Sequence, residues 1–298
     1  MTNLDTFLSE GASGDLSQLL LSIASTSLQV RRALPFTTKL TKDVNPSGER
    51  QTEIDVYANE VFASSLLATG MVGEVASEEM EEPRRGPGTL HVAMDPLDGS
   101  SNIATNNPLG SIFGIYSSKL PCSGEHLVGS AFVTYGPMLT LTYSTGRGVN
   151  TFVAVEGQEG NPFLLTGENV MIPETPEVFG LGGQRRDWIE PVERFVSSLE
   201  DRGMKLRYGG TFVGDYNQVL RSGGIFGYPA LKNKPRGKLR VLYEAAPMAY
   251  ITERAGGYAS DGARDVLSLT PTALAETTPL YVGSSGLVRE VESMIAGR

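Results

Sequence analysis

The chain has 298 residues, enough for two ordinary domains or one large one, and its apolar and charged fractions of 40% and 20% are those of a soluble globular protein. A net charge of -9, without a run of basic residues, disfavours nonspecific nucleic-acid binding. Cys122 is the only cysteine, which excludes an intramolecular disulfide and a thiolate zinc site and fits a reducing compartment. His91 and His126 are far apart, so acid–base work falls to carboxylates; His91, inside an apolar run, reads as structural. The run Leu19 to Ala24 is too short to span a bilayer and the N-terminus has no basic region. A cytoplasmic protein that binds neither membrane nor nucleic acid is expected.

In chain order, Asp15 to Leu34 reads as a helix with Leu16, Leu19, Leu20 and Ile23 on one face, ended by Pro35. A turn at Asn45 to Glu49 precedes a second helix, about Gln51 to Thr69, with Ile54, Ala58, Val61 and Phe62 inward. Glu49 and Asp55, near its start, suit the helix dipole at roughly 0.3–1 kcal/mol each. Met71 to Ala76 and Leu90 to Met94 read as strands. Leu109 to Ser117, Leu127 to Tyr135, Met138 to Ser144 and Val149 to Val155 follow as short β runs. Gly136-Pro137 and Thr145 to Gly148 between them suggest hairpins. Beyond Pro173 to Pro176 the texture becomes alternating strand and helix: strands at Val178 to Leu181, Lys205 to Tyr208, Gly224 to Tyr228 and Leu280 to Val282, helices at Asp187 to Arg202, Val213 to Arg221, Glu244 to Ala255 and Leu287 to Ile295. The expected class is therefore α/β with an α+β N-terminal part, divided into residues 1–173 and 174–298.

Two stretches carry the chemistry. The strand Leu90 to Met94 should stop at Asp95, because Pro96 cannot donate to a ladder. Asp98 follows three residues on, and then Gly99-Ser100-Ser101-Asn102, small and free to present N–H groups. Two carboxylates on one turn beside an amide-rich loop suit a hard cation next to a phosphate. Asp, Pro and Gly also form ordinary surface turns. The second acidic cluster, Ser77-Glu78-Glu79, closing another apolar run, favours a site over two coincidental turns. The other stretch is Lys234 to Glu244, the most basic of an acidic chain, with Lys238 and Arg240 on one face if extended. With Arg207, Tyr208 and Tyr228 it suits an anionic sugar; alone it reads more readily as a solvated loop feeding a core helix.

The residues resemble the class I fructose-1,6-bisphosphatases and the related sedoheptulose-1,7-bisphosphatases, within the metal-dependent, lithium-sensitive sugar phosphatases. Asp95-Pro96-Leu97-Asp98-Gly99-Ser100 is similar to the signature of that wider group, and Gly237 to Met248 resembles the more specific active-site pattern of the bisphosphatases. Ile112 to Tyr116 and Gly224 to Pro229 follow in the family's order, and the likeness runs from about Phe36 to the end. It implies a layered α/β/α/β/α sandwich, an oligomer (tetramer or dimer), and two or three Mg²⁺ per subunit, with Mn²⁺ as a substitute. Glu78, Asp95, Asp98 and Glu244 resemble the metal-ligating carboxylates, with the Leu97 carbonyl, and Glu49 stands where the family has an aspartate. Asp55 and Glu79, beside Glu78, resemble the groups that position and deprotonate the attacking water. Gly99, Ser100 and Ser101, with Arg240, resemble the seat of the cleaved phosphate. Tyr208, Tyr228 and Lys238 resemble that of the retained one, joined by Arg207 from a neighbouring subunit.

Some positions depart from the pattern. Glu49 is one methylene longer than the usual aspartate. Gly182-Gly183-Gln184-Arg185 replaces a stretch that supplies further ligands to the retained phosphate. Thr89-Leu90 and Ser117 replace basic and aromatic groups that resemble an AMP site in the regulated enzymes, so insensitivity to AMP is expected. Ala245-Ala246-Pro247 resembles the sedoheptulose enzymes, whereas Gly224 to Pro229 resembles the fructose enzymes. The expected activity is hydrolysis of fructose 1,6-bisphosphate at its 1-phosphate, with sedoheptulose 1,7-bisphosphate as the alternative substrate and a non-catalytic sugar-phosphate sensor as the weaker alternative.

Overall fold

Leucines one turn apart start the chain's first helix, α1 (Leu4–Gly11), with Leu4 and Leu8 buried; α2 follows at Gly14–Ala33 and ends at the Leu34–Phe36 turn that Pro35 imposes. The computed structural model describes residues 2–11, 14–36, 40–46 and 50–298, the side chains of 40–44 and 50 excepted. The hairpin of β1 (Leu40–Val44) and β2 (Arg50–Thr52) leads into α3 (Glu53–Ala68). A capping box begins α3. The Asp55 N–H donates to Thr52 Oγ1 at 3.3 Å, while the Thr52 N–H and hydroxyl donate to the Asp55 carboxylate at 2.6 and 2.8 Å.

Eight strands then build one sheet: β3 (Val72–Ser77), β4 (Arg84–Arg85), β5 (Leu90–Asp98), β6 (Leu109–Tyr116), β7 (Leu127–Tyr135), β8 (Leu139–Ser144), β9 (Asn150–Ala154) and β10 (Phe163–Gly167). Their order is β10-β9-β8-β7-β6-β5-β3-β4, antiparallel except for the β3–β5 pair. Both expected hairpins are present, joining β7 to β8 and β8 to β9. The second half supplies β11 (Val178–Leu181), α4 (Glu190–Asp201), β12 (Lys205–Leu206), α5 (Phe212–Ser222), β13 (Gly224–Tyr228), β14 (Leu239–Arg240), α6 (Ala246–Arg254), β15 (Tyr258–Ser260), β16 (Thr277–Thr278), β17 (Leu280–Gly283) and α7 (Ser285–Ile295). Five of its strands form a mixed sheet in the order β12-β11-β13-β17-β15, and β14 pairs with β16.

Strand alternation sorts the core into layers. Val92, Met94, Phe113, Ile115, Val133 and Leu141 face α1 to α3, and Phe62 of α3 meets Phe113 edge-on with ring centroids 4.9 Å apart. The intervening Ala93, Ile112 and Phe132 face the other way, onto α5 and α6, which are sandwiched against Val178, Phe226 and Val282 of the second sheet. Phe179, Ile225 and Tyr281 of that sheet face outward to α4 and α7. The result is the α/β/α/β/α stack. Truncating a side chain such as Phe62 would cost about 3–5 kcal/mol.

Several boundaries differ from the sequence reading: the strand expected over Lys205 to Tyr208 stops at Leu206, and the helix expected from Asp187 starts at Glu190. Two further differences shape the acidic site. The strand does not end at Asp95: β5 continues to Asp98. Asp95 pairs with Ile112 but Asp98 with Gly110, so β5 carries one extra residue there, a bulge. Pro96 is tolerated because the bulge asks no ladder N–H of it, and its carbonyl accepts from Ser111 Oγ at 2.7 Å. The last central helix starts later than Glu244. Val241–Ala245 forms a π-turn, and α6 begins at Ala246 with Pro247 in its first turn.

Candidate active site

Three interruptions of regular structure bring the acidic residues together. At the end of β3 the chain turns at Ser77, and the Glu78 N–H donates to the Met94 carbonyl at 3.1 Å, which sets Glu78 beside the end of β5. The bulge in β5 turns Asp95, Leu97 and Asp98 toward the same space, and the Leu97 N–H donates to Asp95 Oδ1 at 3.0 Å. The π-turn brings in Glu244, whose Oε2 accepts the Arg240 N–H at 2.7 Å. Gly99 follows with φ 79°, a conformation L side chains rarely adopt, and a Cβ there would stand 2.6 Å from Thr211 Cβ. One cavity of about 330 Å³ is lined by Glu78, Glu79, Asp95, Leu97, Asp98, Gly99, Ser100, Ser101, Tyr228, Lys238, Arg240 and Glu244. Twelve of the sixteen residues singled out from sequence thus meet in one hollow.

The remaining four are Glu49, Asp55, Tyr208 and Arg207. Glu49 lies outside the described residues. Asp55 stands behind the cavity wall in the capping box of α3, with Thr52 lining the cavity in front of it. Tyr208 sits at the rim, 46% exposed, with its hydroxyl 2.9 Å from that of Tyr228. Arg207 faces a separate hollow shared with Lys205 and Arg221, and its Nη1 donates to the Leu206 carbonyl at 3.0 Å. Within one chain Arg207 does not line the cavity. His91 is structural, as read from sequence: its Nδ1 stands 2.9 Å from Glu74 Oε1, away from the cluster.

The electrostatics of the hollow are dominated by crowding. One carboxylate oxygen each from Glu78, Asp95 and Glu244 lie within 4.8 Å of one another, and all three residues are buried. Burial above all, then the charges of Glu78, Asp98 and Glu244, push the Asp95 carboxyl well above its ordinary range. Burial likewise pushes Glu244 up to about 7, against the pull of Arg240. Arg240, itself only 5% exposed, has Nη2 2.6 Å from Glu78 Oε1 and Nη1 3.7 Å from Glu244 Oε2. One guanidinium facing three clustered carboxylates leaves excess negative charge. Two unit charges 4 Å apart repel by about 4 kcal/mol at an effective dielectric of about 20. Protons relieve this, and so does a hard divalent cation, for which a set of oxygen donors without sulfur or imidazole is the right chemistry. The residues present therefore fit an ion of the Mg²⁺ or Mn²⁺ type.

Asp98 is bound differently. Its carboxylate accepts the Thr211 hydroxyl at 2.5 Å and the Val213 and Phe212 N–H groups at 2.7 and 3.2 Å, so it closes the N-terminus of α5 from 113 residues away in the chain. Glu79 accepts from the side-chain amides of Gln51 and Asn45, and burial, reinforced by the charge of Asp55, raises its pKa. Thr211, Gln51 and Asn45 were not singled out from the sequence. Only Thr211 carried a local signal, a hydroxyl residue just before an amphipathic helix.

The comparisons agree with this geometry. Residues 5–167 match the model of the fructose-1-6-bisphosphatase N-terminal domain, and residues 172–296 match that of the C-terminal domain. The chain belongs to the fructose-1,6-bisphosphatase family. Its relatives include a class 1 fructose-1,6-bisphosphatase of Haloarcula marismortui, 41% identical over 280 residues, covering 94% of each chain. One of Natronomonas pharaonis is 43% identical over 276 residues, covering 92% of this chain and 96% of the relative. The crystal structure of Leishmania major fructose-1,6-bisphosphatase in holo form superposes with a TM-score of 0.93 at 29% identity, covering 100% of this chain and 99% of that one. In this fructose-1,6-bisphosphatase family member the site lies across the two matched regions: Glu78, Asp95 and Asp98 come from the first, and Arg240 and Glu244 from the second.

Proposed function

We propose that the chain hydrolyses fructose 1,6-bisphosphate at its 1-phosphate, giving fructose 6-phosphate and inorganic phosphate, with Mg²⁺ held by Glu78, Asp95 and Glu244. The observation that carries this reading is the cluster of three buried carboxylates opening onto the same cavity as Arg240 and the Gly99–Ser101 loop. Asp98, the Leu97 carbonyl and Glu49 complete the metal ligands for two or three ions, with Mn²⁺ as a substitute. Bound divalent ions neutralise the phosphate dianion and the leaving oxygen and lower the pKa of water. Arg240 and the N–H groups of Gly99, Ser100 and Ser101 receive the 1-phosphate.

Glu79, whose pKa burial raises, accepts the proton of the attacking water as its oxygen bonds to phosphorus and the ester bond to the sugar breaks. Asp55 orients that water from behind Thr52, and Glu78, next to Glu79 in the chain, is the third group of that step. The sugar oxygen leaves with a proton from solvent. Tyr208, Tyr228 and Lys238 hold the 6-phosphate; the 2.9 Å contact between the tyrosine hydroxyls and the 5.9 Å approach of Lys238 Nζ to the Tyr228 ring support a common seat. Arg207 from a neighbouring copy completes that seat, which makes the working form a tetramer or dimer. The chain works in the cytoplasm, with residues 1–173 carrying most metal ligands and 174–298 most phosphate contacts.

The test is phosphate release from fructose 1,6-bisphosphate in Mg²⁺, abolished by EDTA. Sedoheptulose 1,7-bisphosphate, fructose 1-phosphate and inositol 1-phosphate are run on the same preparation. Higher kcat/KM for inositol 1-phosphate refutes the substrate, and binding without turnover refutes the enzyme.

A further inference from the structure

Between Asp215 and Glu244 the chain has no acidic residue and six basic ones, Arg221, Lys232, Lys234, Arg236, Lys238 and Arg240, although acids outnumber bases by 34 to 25 overall. The last five fall on alternate residues. Lys232 turns away, its Nζ donating to the Arg186 carbonyl at 3.0 Å. The next four line a second hollow of about 450 Å³, next to the metal cavity and sharing Lys238 and Arg240 with it. Every ionisable group lining this hollow is a cation.

The loop that presents them is built. The Lys234 carbonyl accepts from the Leu231 N–H at 3.1 Å and from the Gly237 N–H at 3.1 Å. Gly237 has φ +71°, and a Cβ there would lie 2.3 Å from both Pro279 N and Thr278 O, so the backbone is packed tight against the β16 region. Lys234 and Arg236 are exposed, and among the described residues neither has a carboxylate within ion-pair reach. Glu276, beyond Arg236, is held by the Thr272 N–H and hydroxyl at 2.8 and 2.9 Å.

We infer that Lys234 and Arg236 form an anion-collecting lip that draws the doubly phosphorylated substrate into the metal cavity. A chain of net charge -9 repels a polyanion at long range. A local all-cation hollow reverses the field at the entrance, and such focusing raises association in a salt-dependent way. The inference rests on the bisphosphatase reading of the adjoining cavity. Neither residue belongs to the groups placed against metal or phosphate there.

The experiment compares wild type with the double variant Lys234→Gln/Arg236→Gln on fructose 1,6-bisphosphate. Mg²⁺ is saturating, and ionic strength runs from roughly 20 mM to 1 M, across which the Debye length falls from about 20 Å to about 3 Å. At low salt the variant should lose about fivefold in kcat/KM with kcat unchanged, and the two profiles should converge at high salt. The charge-retaining Lys234→Arg/Arg236→Lys should follow wild type. Parallel profiles, a loss in kcat, or a change of molecular mass in light scattering that accompanies the loss overturns the lip alone. A wild type inert on the bisphosphate overturns the lip together with the reading it rests on.

Discussion

Without metal, the carboxylate cluster should make the protein less stable as pH rises through neutrality. Glu244 has a folded-state pKa of about 7 against an ordinary 4.5. Between those values the folded state holds a proton that the unfolded state has released, so stability falls as pH rises across that window. At 1.36 kcal/mol per unit the full difference is about 3 kcal/mol. Asp95, raised well above its ordinary value by burial and then by its neighbours, adds with the same sign. For a chain of this size about 3 kcal/mol corresponds to roughly 5–10 °C in Tm.

Glu253 and Asp215 are raised too, to about 7 and about 6, by burial, and they sit outside the metal cluster. A slope in EDTA alone would therefore not identify the cluster; its response to metal does. Mg²⁺ binds the ionised ligands, so its stabilisation should grow with pH. Melting from pH 5.5 to 8 in EDTA and in Mg²⁺ should give two curves that diverge upward in pH, and Glu244→Gln should shrink the divergence. Parallel curves, or a Glu244→Gln variant indistinguishable from wild type, would refute the reasoning.

Three other outcomes are expected. Asp95→Asn should cut turnover by about 10³-fold while raising Tm in EDTA at pH 8, because it removes a carboxyl whose ionised form burial and the neighbouring acids disfavour; a lower Tm there would make Asp95 structural. Thr211→Val takes away the hydroxyl 2.5 Å from buried Asp98. It should cost about 1–3 kcal/mol in denaturant unfolding and raise the Mg²⁺ concentration needed for half-maximal activity; an unchanged Mg²⁺ requirement would separate Asp98 from metal binding. Arg207→Ala should raise KM for fructose 1,6-bisphosphate far more than for fructose 1-phosphate, and equal effects would show that Arg207 does not serve the retained phosphate.

The carboxylates were legible because each breaks a local pattern. Glu78-Glu79 and Asp95 end predominantly apolar runs that are mostly buried, and charge in such places needs a reason. Regular strands were legible for the complementary reason, that β6, β7 and β8 are short apolar runs, buried almost throughout, with turn signals between them. What stayed hidden falls into two kinds. The elements α1 and β10 are short, 8 and 5 residues, and hold their place by packing rather than by pattern. Within the site, Thr211, Gln51 and Asn45 matter only through partners distant in the chain: Thr211 reaches Asp98, and Gln51 and Asn45 reach Glu79. No window of sequence contains both members of any of these pairs.

The same two departures from expectation, the bulge in β5 and the π-turn before α6, explain how a packed sandwich accommodates so much charge. A regular strand through Asp95 to Asp98 would send those side chains to alternating faces, one of them into the core against α1 to α3. The extra residue breaks that alternation, and Pro96 stands where its missing N–H costs nothing. A regular helix through Glu244 would likewise continue the apolar face of α6. The π-turn instead lets the Arg240 N–H and guanidinium reach Glu244 from the adjoining strand. Arg240 is the cation that makes the cluster tolerable before metal arrives, since its guanidinium faces both Glu78 and Glu244. Removing it should be more damaging in EDTA than removing any one carboxylate, because a buried pair broken from one side costs about 3–5 kcal/mol.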